Sequence, residues 1–131
     1  MDKRLIEVCF PIKEVSAESV REKNIRHGHI STLHIWWARR PLAACRAAIF
    51  ASLVKDPGDE KKRQELMKFI VELCKWENSL NKQIIERARK LIRENYPNAP
   101  PKLLDCFAGG GSIPLEALRP VSYTHLTLPT N

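Results

Sequence analysis

The chain has 131 residues, with 22 Lys and Arg against 15 Asp and Glu, a formal charge of +7 and a pI near 9.5. At 44% hydrophobic residues it is too apolar for a disordered chain, and its length suits one modest core rather than two. No run of about 18 apolar residues could span a membrane, and the opening MDKRLIEV lacks the apolar stretch of a secretion signal, so a cytoplasmic location is expected.

Leu5 to Phe10 is a short apolar run stopped by Pro11, which predicts a strand or an extended arm. Ser19-Val20-Arg21-Glu22 has the spacing of a capping box and predicts a short basic helix to about Asn24. Residues 25–41 (IRHGHISTLHIWWARRP) are broken at Gly28, and Pro41 suits the first residue of a new helix, where its missing N–H costs nothing. From Leu42 to Val54 the chain reads as that helix, ended by the turn Asp56-Pro57-Gly58.

Residues 59–75 predict an amphipathic helix, with Leu66, Phe69, Ile70, Leu73 and Cys74 on one stripe. Residues 80–95 predict another, with Ile84, Ile85, Ala88, Leu91 and Ile92 in register and Asn78-Ser79 able to cap its start. Tyr96 to Pro101 (YPNAPP) is a stiff connector. Lys102 to Cys106 then reads as a short strand, Gly109-Gly110-Gly111-Ser112 as a turn, and Ile113 to Arg119 as a helix.

The last twelve residues, Pro120 to Asn131, carry no charge and hold three of the four threonines in the chain. Read as codons, Val121 to Thr130 (VSYTHLTLPT) fits a transposase-adapter sequence used in DNA library preparation. The expectation is that native coding sequence stops near Arg119 or Pro120, and the tail is set aside from fold reasoning.

The chemistry-bearing residues fall in several groups. The glycine turn follows an apolar strand and opens a helix, where backbone can approach a ligand closely and free N–H groups are offered. A dinucleotide fingerprint departs at Pro114, where close helix packing needs Gly or Ala, and no Gly-Lys-Ser/Thr follows to make a P-loop. Trp36, Trp37, Arg39 and Arg40 place aromatic faces beside guanidinium groups, which suits base stacking and phosphate contact or an adenine pocket, and equally a core anchor. Arg21, Lys23 and Arg26 could track a DNA backbone or form an ordinary solvated face. His27, His29 and His34 have no nearby carboxylate or thiol, and Cys9, Cys45, Cys74 and Cys106 form no C-x-x-C pair, so no metal is expected.

Asp105-Cys106-Phe107-Ala108-Gly109-Gly110-Gly111-Ser112 resembles motif I of the S-adenosylmethionine-dependent amino-methyltransferases of DNA, with Cys106 where that family usually has Pro. The stretch from Arg4 to Pro57 is similar to the N-terminal domain of unknown function 1156, which precedes motif I in a group of adenine-specific DNA methylases. The resemblance implies an α/β parent, a Rossmann-like fold with a parallel-type sheet. The present chain would be a mostly α-helical fragment of it, holding only the first sheet strand. It implies S-adenosylmethionine as cofactor, with Asp105, Phe107, Ala108, Gly109, Gly110, Gly111 and Ser112 in the binding turn. Trp37, Arg40 and Pro41 would close over the cofactor, and DNA would be the partner.

The domain division that follows is 1–56 for the N-terminal family domain, 57–101 for a helical segment, 102–119 for the start of the methyltransferase domain, and 120–131 for the adapter-derived tail. The Asp/Asn/Ser-Pro-Pro-Tyr/Phe motif that would hold the target amine is nowhere in the chain. The ribose-binding acid expected roughly 20 residues after the glycine turn is also missing, and Glu116 is no substitute. The chain is therefore expected to lack catalysis. The alternative from the residues alone is a small basic helical module that binds nucleic acid without catalysis. A nucleotide-dependent oxidoreductase is disfavoured by Pro114 and the missing acid.

Overall fold

The computed structural model describes residues 2–25, 40–106 and 109–120. Among the described residues six α-helices follow in chain order: α1 Leu5–Val8, α2 Ile12–Asn24, α3 Leu42–Leu53, α4 Glu60–Cys74, α5 Lys82–Asn95 and α6 Ser112–Leu118, with a 3-10 turn at Trp76–Asn78. The mostly α-helical character expected from the sequence is what the structure has. None of these helices is long and apolar enough to cross a membrane.

Helix α3 is the centre of the molecule. Its sequence LAACRAAIFASL is apolar around most of its circumference, and a helix of that kind is stable only when other elements surround it. Helices α1, α2, α4, α5 and α6 all pack against it. Its small Ala43, Ala47 and Ala51 let neighbours approach closely, while Phe50, fully buried, fills the centre. Phe50 meets Phe69 of α4 edge-on at 5.3 Å, and Leu5, Ile70, Leu73, Ala88 and Ile92 complete the core. Burying one such large apolar side chain stabilises the fold by about 1.5–3 kcal/mol.

Four local expectations change. Leu5 to Phe10 is not a strand: Leu5–Val8 makes one helical turn, and strand-like pairing is confined to an antiparallel bridge between Arg4 and Lys55. The reason is that only Leu5 needs burial, while Ile6 and Val8 stay exposed. The Leu5 N–H donates to the Val54 carbonyl at 2.9 Å, pinning the arm to the end of α3.

Helix α2 begins at Ile12, seven residues before the expected capping box. Ser19 therefore lies inside the helix, where its hydroxyl donates to the Val15 carbonyl at 2.8 Å. Helix α5 starts at Lys82, capped by Asn81 accepting from the Gln83 amide at 3.1 Å, rather than by Asn78-Ser79, which belong to the preceding turn.

The strand expected at Lys102–Cys106 is not formed. Among the described residues there is no sheet, and residues 101–105 have no regular structure. A strand needs a neighbour for its N–H and C=O groups, and none is offered here. Leu104 accordingly stands 64% exposed, while Leu103 and Asp105 turn inward.

Candidate functional site

The glycine turn has the geometry that the sequence pattern requires. Gly109 (φ +53°) and Gly111 (φ +79°) both take left-handed backbone, a region that costs an L side chain about 1–2 kcal/mol. Gly111 is the N-cap of α6, and its carbonyl accepts the Leu115 amide at 2.9 Å. A Cβ added at Gly111 would meet nothing within 4 Å, so the turn faces open space. Asp105 and Ser112 are buried on either side of it, and Cys106 is exposed.

Beside this turn runs a groove of about 450 Å³. Arg40 and Pro41, at the N-terminal end of α3, line it together with Cys45, Ile49, Leu103 and Ile113. The structure thus brings Arg40 and Pro41 to the residues that flank the Asp105–Ser112 motif, although more than 60 residues separate them in sequence. Burial pushes the Cys45 thiol up to about 11, with the nearby Glu116 carboxylate acting in the same direction. The Cys45 thiol in the groove wall is therefore protonated at neutral pH.

Several candidates lie outside the described residues: Phe107, Ala108, Trp36, Trp37, Arg26, Arg39, the three histidines His27, His29 and His34, and the tail from Val121 to Asn131. Of the proposed DNA-contacting cations that are described, Lys23 is exposed, and Arg21 pairs with Glu77. That partner draws the Glu77 carboxyl below its ordinary range and raises the Arg21 guanidinium above its own. Among the described residues no group of three or more His, Cys, Asp or Glu side chains could hold a metal ion.

Two buried charge systems hold the site's framework, and the sequence reading gave neither its role. Glu22, only 4% exposed, reaches from α2 to the start of α3. Its two oxygens accept the amides of Leu42 and Ala43, each at 3.0 Å. A carboxylate there satisfies amides that the helix leaves unpaired and complements the positive end of its dipole.

The second system joins α3 to α6. Arg46 Nε donates to Glu116 Oε2 at 2.7 Å, and Arg46 Nη1 donates to the Leu73 carbonyl at 2.7 Å. Arg46 is 4% exposed and Glu116 is fully buried. The other oxygen of Glu116 faces Arg119 Nη1 at 3.6 Å, and that guanidinium donates to the Ser79 carbonyl. A single charge inside the apolar run Leu42–Leu53 was the available signal, since a lone buried Arg requires a partner. Glu116 is thus committed to an ion pair with Arg46.

The molecule is a small helical domain organised around one enclosed helix, with a glycine-capped helix docked on it. Residues 9–80 match a family described as a protein of unknown function (DUF1156), which is more than half of the chain. The chain belongs to that family. No curated protein and no solved structure matches it.

Proposed function

We propose that the chain is the front part of an S-adenosylmethionine-dependent DNA methyltransferase that modifies an exocyclic amine, adenine N6 ahead of cytosine N4. One observation carries the reading: Leu103 and Ile113, which flank the motif turn with its left-handed Gly109 and Gly111, line one groove with Arg40 and Pro41. Glycine at position 111 leaves the turn open to close approach, and the apolar wall of Leu103, Ile113 and Ile49 suits a flat, weakly polar group such as adenine.

Asp105, Gly109, Gly110, Gly111 and Ser112 would hold the cofactor, with Arg40 and Pro41 at its edge. Phe107, Ala108 and Trp37 belong to the same proposal by sequence. When bound, the cofactor supplies the methyl group. The chain's own residues shape one wall of the pocket and keep water from it. With neither a target-amine motif nor a ribose-binding acid, the chain by itself holds the cofactor weakly and transfers nothing.

The test is titration of the ¹⁵N-labelled chain with S-adenosylhomocysteine. Saturable shifts confined to the amides of Gly109–Ser112 and the start of α3 support the reading. DNA binding with a steep salt dependence and no response to the cofactor analogue would instead support the basic binding module.

A further inference from the structure

We propose that Arg46 and Glu116 are positioning residues, a buried register lock that fixes α6, and with it the glycine turn, against the N-terminal half of α3. Its bearing on the cofactor rests on the methyltransferase reading above. Helix α6 spans only two turns, too short to hold its own orientation through helix propensity. Packing of Pro114 and Ala117 alone would leave α6 free to slide or rotate along α3.

The ion pair removes that freedom. The Arg46 guanidinium donates in two directions, to Glu116 of α6 and to the Leu73 carbonyl at the end of α4, so Glu116 has one position and not a range. Glu116 directly follows Leu115, whose amide bonds to the Gly111 carbonyl one turn back, and the rotation fixed at Glu116 is passed directly to the turn. A well-packed apolar pair at these two positions would be at least as stable, because burying two charges is costly. What the ions add is a single register, the best-attested use of buried polar pairs.

The experiment compares the 131-residue chain with its Arg46→Met/Glu116→Leu variant by amide hydrogen exchange. The expected result is a variant that melts no lower than the parent, with the Leu115 and Ala117 amides exchanging at least ten-fold faster. Core amides of Ile49 and Leu73 should stay unchanged. Equal protection of α6 in both chains would overturn the lock. Should the double variant not fold, Glu116→Gln keeps the shape but not the charge, and the same amides should exchange several-fold faster.

Titration with S-adenosylhomocysteine supplies the second reading. A ten-fold weaker response of Gly109–Ser112 in the variant supports positioning for the cofactor, and an equal response overturns it. No response in the parent, together with a loosened α6, would leave the lock supported and the methyltransferase reading refuted.

Discussion

The carboxylate of Glu22 closes the N-terminus of α3 by accepting the amide of Leu42 at 3.0 Å, and its second oxygen takes the amide of Ala43 at the same distance. One side chain therefore replaces the cap that Pro41, with no side-chain donor or acceptor, cannot supply. Because the contact is buried and charge-assisted, Glu22→Ala should destabilise the chain by about 2–3 kcal/mol, and Glu22→Gln by about 1–2 kcal/mol. Urea unfolding followed by circular dichroism checks both. Two variants as stable as the parent would remove the cap from the account of the fold.

At the other end of α3, Arg63 grips Asp56 with two parallel bonds of 2.8 Å. That guanidinium holds the Asp56 carboxyl below its ordinary value of 3.8. A depressed carboxyl pKa adds stability that is complete above the unfolded-state value and is lost as pH falls through the folded-state value. Unfolding midpoints measured from pH 6 down to pH 2 should fall less steeply below about pH 4 in Asp56→Asn than in the parent. Parallel curves would mean that the pair adds nothing to acid sensitivity.

The four thiols should separate by reactivity. Burial raises Cys45 to about 11 and Cys74 to about 12, and the Cys74 thiol also donates to the Ala43 carbonyl at 3.4 Å. Cys106 is exposed beside the glycine turn. With a thiol reagent at pH 8, Cys106 should label first, and Cys45 and Cys74 only after denaturation. Mass spectrometry of the labelled peptides gives the order directly.

Gly111→Ala tests the turn without crowding it, since the added methyl meets nothing within 4 Å and only backbone strain is introduced. A loss of about 1–2 kcal/mol is expected from forcing alanine into left-handed backbone. Gly111→Asn should cost less, because asparagine tolerates that region. Equal stability of both variants with the parent would show that the left-handed cap is dispensable.

The amphipathic helices were legible from sequence because their burial is periodic: the stripes at Leu66–Cys74 and Ile84–Ile92 reappear in α4 and α5. The glycine turn was legible because its backbone demands a residue type. Helix starts were less so. Glu22 carries the local signature of a capping box, yet it caps a helix 20 residues away, and no local pattern shows which amides a carboxylate will find. The pairing of Arg46 with Glu116 spans 70 residues and is likewise a product of packing. The Lys102–Cys106 strand failed because strand formation depends on a neighbour that local composition cannot provide.

The family match ends at residue 80, whereas the packing around α3 does not. Leu5 lies before the matched span, and Ala88, Ile92 and Glu116 lie beyond it, yet all four are buried with side chains inside it. A protein trimmed to 9–80 would lose the Glu116 counter-ion of Arg46 together with helix α6 that packs on α3, and would lose the apolar cover of Leu5, Ala88 and Ile92. The matched span marks inheritance; the packed unit is larger, and its limits are drawn by what surrounds α3.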